Sequence, residues 1–303
     1  MPALLKPPLL KPGDHVIIIA PAGFVSDDYV HKASKIFESW GLKVLHGENL
    51  FMRHNQFSGT DKQRLADLQE ALDNDEVSAI ICARGGYGTL RIADRLNLSQ
   101  FIKKPKWLVG FSDITVLHSI LTKLGIQSVH SLMPINFSNL PESAMPIELL
   151  RQALFEGRLN YTPAPSAYNR QGTEKAVVTG GNLSLLYALT ATPFEIDTRN
   201  KVLFIEDVGE QLYHLDRMVQ SLRLAGKFDQ LNGLIVGGLS EMEDKNTPFG
   251  QTAEEIVASA AQGYDFPVVF DFPAGHIAEN CPVILGSEAT LEVTVNSVKI
   301  SFA

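Results

Sequence analysis

The first half of the chain alternates short, unbroken apolar runs with stretches of helical periodicity, and this alternation restricts the fold more than any other feature. His15 to Ala20, Val77 to Ala83 and Trp107 to Phe111 are strand-sized runs with little polar interruption, the pattern of strands covered on both faces. Between them, Ala33, Ile36, Phe37 and Trp40 mark a helix ending near Gly41, and a strand follows around Leu42 to Leu45. Leu65, Leu68 and Leu72 form the stripe of a second helix, opened by Thr60 and Gln63 at capping-box spacing. Strands and helices that alternate in this way pair through parallel crossovers. The expected class is α/β, with a parallel sheet in the N-terminal part.

The pattern stops between Tyr161 and Gly172, where Pro163, Pro165, Ser166 and Asn169 make a polar, turn-rich connection. This predicts an N-terminal α/β domain over 1–160, a linker over 161–173 and a smaller, β-rich α/β C-terminal domain over 174–303. A chain of 303 residues fits about two domains. In the second half, strands are expected near Ala176 to Thr179, Val202 to Ile205, Leu234 to Val236 and Val268 to Phe270, with a helix from Gln211 to Ala225. Leu291, Val293 and Val295, then Val298, Ile300 and Phe302, alternate about Asn296-Ser297 as a hairpin does.

Composition excludes several function classes. A net charge of −8 without any run of Lys or Arg argues against nucleic acid as a partner. Cys82 and Cys281 build no disulfide framework and fit a reducing compartment. No apolar run approaches the ~20 residues of a membrane span, and the start of the chain, with Pro7 and Pro8, lacks the apolar stretch of a signal peptide. The expectation is a soluble, cytoplasmic protein without membrane contact. No His-x-x-x-His or Cys-x-x-Cys pair is present, so neither a metal nor another cofactor is expected.

Sites in α/β folds are built at strand ends. Four such ends carry chemistry: Arg84-Gly85-Gly86-Tyr87-Gly88 after the Val77 run, Ser112 after the Trp107 run, Glu206-Asp207 after Ile205, and Gly275-His276 after the Val268 run. Ser112 stands where a helical pattern (Ile114, Leu117, Leu121, Leu124) begins, a position that suits an exposed nucleophile but, taken alone, favours a plain N-cap. The full G-x-S-x-G elbow is incomplete, because Ile114 stands two residues after the serine. Ser112, Glu206 and His276 are the residue types of a nucleophile, an orienting acid and a general base, with N–H groups of Gly86 and Asp113 as oxyanion donors. Each also has a plainer reading: His276 as a surface loop histidine, Glu206 as a solvated strand end, the glycine loop as an anion cradle. That loop matches neither the Rossmann spacing nor a Walker loop.

At these segments the chain resembles the LD-carboxypeptidase family, serine peptidases that trim murein tetrapeptides. Leu10-Lys11-Pro12-Gly13-Asp14 with Ile19-Ala20-Pro21-Ala22-Gly23, Ala83-Arg84-Gly85-Gly86-Tyr87-Gly88, Gly110-Phe111-Ser112-Asp113-Ile114-Thr115, Gly180-Gly181-Asn182-Leu183, Ile205-Glu206-Asp207-Val208-Gly209-Glu210, Asp216-Arg217 and Gly275-His276 look like its successive blocks. The resemblance implies Ser112 as nucleophile, Glu206 as orienting acid, His276 as general base, and Gly86 and Asp113 as the oxyanion hole. It also implies an active site in an interdomain cleft, release of terminal D-alanine from cytoplasmic muropeptides during cell-wall recycling, no metal, and a homodimer. Arg84 and Asn182 are candidates for binding the substrate carboxylate, each with a structural alternative in loop anchoring or helix capping. Two segments depart from the family: His130-Ser131-Leu132-Met133 replaces His-Gly-Pro-Met, and Cys281-Pro282-Val283-Ile284-Leu285-Gly286 replaces Thr-Leu-Pro-Leu-Gly. A similar hydrolase of peptide-nucleotide antibiotics, of the microcin C immunity type, and a non-catalytic binder of a small polar ligand are the alternatives.

Overall fold

The computed structural model describes residues 4–303 and contains two sheets. The first places β1 His15–Ile19, β2 Lys43–His46, β3 Val77–Cys82, β4 Trp107–Gly110 and β5 Ser128–His130 in the order β5-β4-β3-β1-β2, with a sixth strand beside β5. These five strands pair in parallel, as the unbroken apolar runs predict, and β1, β3 and β4 are buried almost throughout. The crossover helices behave as expected. Asp27–Ser39 buries Val30, Ala33, Ile36 and Phe37, and Asp61–Asp73 opens with the reciprocal capping box of Thr60 and Gln63.

The second sheet runs β10-β9-β8-β7-β12-β13-β6. Its strands are β6 Leu159–Tyr161, β7 Gly172–Asn182, β8 Lys201–Val208, β9 Leu231–Ser240, β10 Val268–Val269, β12 Glu288–Val293 and β13 Val298–Phe302. β7 to β10 pair in parallel, and β12, β13 and β6 extend the sheet antiparallel; the expected β12–β13 hairpin forms, but Val293 faces Val298, so it turns about Val295-Asn296 and not Asn296-Ser297, and Val295 is exposed. The protein is thus an α/β molecule with two mixed sheets.

The sheets exchange edges. β11, Val283–Leu285, comes from the second half yet pairs antiparallel with β5 of the first sheet. β6 precedes the polar connection yet pairs with β13 of the second. The connection is itself pinned: Arg170 and Val268 exchange backbone hydrogen bonds, and the Arg170 guanidinium donates to the Phe266 and Ala261 carbonyls. One hydrophobic core, including Val109, Val129, Phe204, Phe272 and Val283, runs between the sheets without interruption.

Candidate active site

β4 ends at Gly110, and the chain turns sharply through Ser112 into a short 3₁₀ turn, Ser112–Ile114, and the helix Thr115–Lys123. Ser112 sits in the left-handed region, φ +63°, a conformation a serine adopts only when its surroundings impose it. This corrects the N-cap reading. Among the described residues the Ser112 side chain caps no backbone N–H and forms no hydrogen bond. Ile114, which counted against an elbow in the sequence, fits because Gly110 is bare: a Cβ there would lie 3.0 Å from Ile114 Cγ1. His118, one helical turn further on, donates from Nε2 to the Gly110 carbonyl at 2.8 Å and accepts at Nδ1 from Ser128. Burial drives its pKa down to about 3, with the neighbouring His130 ring acting in the same direction.

The glycine loop lies directly over the serine. A Cβ on Gly85 would come within 2.8 Å of Ser112 Cβ and 3.0 Å of its Oγ, so only glycine admits this approach. The Asp113 carboxylate, buried beneath, accepts from Thr89 N at 2.8 Å and ties the loop to the nucleophile turn; burial raises its pKa. Gly86, the next residue, is exposed, and among the described residues its amide donates to no acceptor.

The second sheet supplies the other half. Glu206, near the end of β8, is wholly enclosed, and its Oε2 accepts from His276 Nδ1 at 2.7 Å and from the His276 backbone N–H at 3.1 Å. That double contact requires Gly275, φ +108°, because a Cβ there would lie 2.7 Å from Glu206 Oε2. Burial pushes the Glu206 pKa up, but the neighbouring His130 imidazole first, and then the hydrogen bond and charge of His276, hold it below the usual carboxylate range. For His276, burial acts downward, yet the Glu206 hydrogen bond and charge, with Asp207 and Glu241, raise its pKa on balance. Ser240 accepts no share of this load but donates to the His276 carbonyl at 2.6 Å, fixing the loop. The His276 ring packs 4.7 Å from the Phe111 ring, centroid to centroid, which brings it beside the residue preceding Ser112.

The remaining predicted residues are engaged by the fold. Arg84 donates to the Phe24 carbonyl at 3.0 Å. Asn182, 3 % exposed, accepts from Leu185 N and Ser184 Oγ as the cap of the helix Leu183–Ala188, and its amide donates to Asp207 Oδ1 at 3.0 Å. Its backbone N–H donates to Thr115 Oγ1 at 3.0 Å, joining the nucleophile helix to the second sheet. Asp207 also accepts from Ser184 N and Val208 N; burial pushes its pKa up to about 6, with the Glu206 charge adding to the shift. Sequence reasoning missed Thr115, His118 and Ser240, whose signals are single hydroxyls or imidazoles indistinguishable from ordinary core positions. Cys82 and Cys281 are free and buried, and burial raises both thiols, Cys281 to about 12, so neither is poised as a nucleophile. Among the described residues no group of three or more His, Cys, Asp or Glu is arranged to hold a metal ion.

Comparison with known proteins accounts for nearly all of this architecture. The model of the LD-carboxypeptidase N-terminal domain matches residues 16–131, and that of the C-terminal domain matches residues 175–291. The chain belongs to the LD-carboxypeptidase family. A probable murein peptide carboxypeptidase of Bacillus subtilis is 33% identical over 97% of this chain and 94% of its own length. The crystal structure of a muramoyltetrapeptide carboxypeptidase from Oxalobacter formigenes superposes with a TM-score of 0.88 at 26% identity, covering 95% of this chain and 98% of that one. A structure of MccF in complex with glutamyl sulfamoyl guanosine gives a TM-score of 0.85 at 20% identity, with 99% and 98% of the two chains covered. That likeness speaks to the fold shared with the LD-carboxypeptidases. The family's two domain models fall on either side of the polar connection, and Ser112 lies within the first, while Glu206 and His276 lie within the second.

Proposed function

We propose that this LD-carboxypeptidase family member is a serine carboxypeptidase that hydrolyses the bond between the third residue and the terminal D-alanine of a murein tetrapeptide. The observation that carries the proposal is the bond from His276 to the enclosed Glu206, with the His276 ring packed on Phe111, the residue before a serine held at positive φ. In this reading Ser112 Oγ attacks the scissile carbonyl carbon and passes its proton to His276 Nε2, while Nδ1–H stays bonded to Glu206. The oxyanion meets the N–H groups of Gly86 and Asp113, each such donor lowering the barrier by ~3–4 kcal/mol. On collapse, His276 returns the proton to the departing D-alanine amine, and water hydrolyses the acyl-serine by the same route. The names of the murein peptide relatives support the substrate class.

Arg84, at the foot of the glycine loop, is proposed to meet the D-alanine carboxylate by exchanging its contact with Phe24. Asn182 is proposed to act on the site through Asp207 and the helix it caps. The same reading makes the enzyme a cytoplasmic homodimer of cell-wall recycling, in keeping with two unpaired thiols.

Mass spectrometry of a muropeptide mixture before and after treatment tests the proposal. Tetrapeptides should lose one D-alanine without added metal, and Ser112→Ala should abolish the loss while the circular dichroism spectrum is retained. Release by Ser112→Ala at the wild-type rate would sink it. A parallel incubation with an aminoacyl sulfamoyl nucleotide, cleaved in preference to the tetrapeptide, would move the assignment to the microcin C immunity type.

A further inference from the structure

β5 ends on His130, whose side chain is completely enclosed. Its ring stands edge-on to Phe204 at 4.9 Å and to Phe111 at 5.7 Å between centroids, with the His118 ring at 6.2 Å. Among the described residues neither nitrogen of this imidazole has a hydrogen-bond partner, and neither does Glu206 Oε1; all three atoms are buried. Buried polar atoms in folded proteins are very largely paired, and each orphan calls for a reason. Here the orphans face each other, since His130 Nε2 lies 3.7 Å from Glu206 Oε1, just beyond hydrogen-bond range.

Glu206 Oε2 is occupied by His276, and both His118 nitrogens are held by Gly110 and Ser128. Glu206 from β8 and His118 from the nucleophile helix are the titratable groups that face His130. A carboxylate anchored through one oxygen is free to turn about its last torsion, which has only a broad preference. His276 needs that plane fixed while it receives and returns a proton.

We propose that His130 is a positioning residue for the general base, closing its Nε2–H onto Glu206 Oε1 and fixing the plane of the carboxylate that orients His276. The role rests on the assignment of Ser112, Glu206 and His276 made above. His130 contacts neither substrate nor reacting atoms, and its effect passes through Glu206.

The test uses two rates: phosphonylation of Ser112 by a fluorophosphonate probe, which needs no peptide, and D-alanine release from a murein tetrapeptide. His130→Leu should lower the labelling rate and kcat roughly ten- to hundredfold, with KM unmoved, the loss carried by removing a hydrogen bond to a charged group. His130→Gln, which keeps a donor, should recover most of the rate. In a Glu206→Gln background His130→Leu should have little further effect; independent, multiplying losses would overturn the proposal, as would unchanged rates in His130→Leu. Should the leucine variant not fold, ¹⁵N spectra of the wild-type imidazoles decide: a proton on His130 Nε2 supports the role and a proton on Nδ1 alone overturns it. Wild-type protein that labels at Ser112 but releases no D-alanine defeats the substrate assignment and leaves this role standing. Wild-type protein that does not label at Ser112 defeats both.

Discussion

Ser112 is held at φ +63° between Gly85 above and Asp113 below, so its position depends on atoms that the serine itself does not choose. Gly85→Ala should reduce kcat/KM about a hundredfold, because a displacement of roughly 1 Å at a reacting atom costs that much; its melting temperature is the control for folding. His276 gives a pH prediction. In the proposed mechanism it must be unprotonated to accept the serine proton, and its pKa is raised, so the acid limb of the kcat/KM profile should lie above the ordinary 6.5. The stability consequence runs in the opposite direction. A raised pKa means the folded state binds the proton more tightly, so the contribution of the His276–Glu206 pair is full between pH 4.5 and 6.5 and is lost as pH rises through the folded value of His276. It is also lost at the acid end as Glu206, whose pKa is lowered, takes up a proton. Activity should therefore rise across the same interval in which this contribution fades, which pH–rate and thermal melting curves measured side by side will show. At this scale the chain was legible where a residue type is forced. Gly85, Gly275 and the trio Ser112, Glu206 and His276 stood out at strand ends. His130 did not, because one buried histidine among eight carries no signal until its neighbours are known.

The helix Leu183–Ala188 is short, and its start is held by Asn182 and Asp207 while the Asn182 backbone leans on Thr115 of the nucleophile helix. Asn182→Ala removes the cap and one partner of a buried carboxylate, and should destabilise the protein by about 1–2 kcal/mol, as lost caps do. Thr115→Val keeps the shape but leaves the Asn182 N–H unpartnered, which should cost ~1–3 kcal/mol. Urea midpoints of both variants check these values, and the two effects should fall short of additive because the residues touch. Elements of this kind divide sharply in how well a sequence announces them. β1, β3 and β4 were visible because burial on both faces leaves an unbroken apolar run. β11 and β6, three residues each, are shorter than any periodicity, and their membership of the opposite sheet is set by tertiary pairing alone.

The two sheets share one core, and each takes an edge strand from the other half of the chain. The parts should therefore unfold together. Calorimetry is expected to show one transition with equal calorimetric and van't Hoff enthalpies, and two resolved peaks would contradict the shared core. Cleavage of the backbone between residues 162 and 168 should leave the fragments associated, for the same reason.

The exchanged edge also sets a schedule. β5 ends at His130 and waits for β11, which starts at Val283. At a ribosomal rate of about 5–20 residues per second, that gap of roughly 150 residues lasts about 8–30 s. During synthesis the serine turn is thus complete long before its base, its acid and the flanking strand exist. On the proposed roles, a nascent chain carries a nucleophile with nothing to activate it, and the hydrolase comes into being only once His276 and β11 have been added.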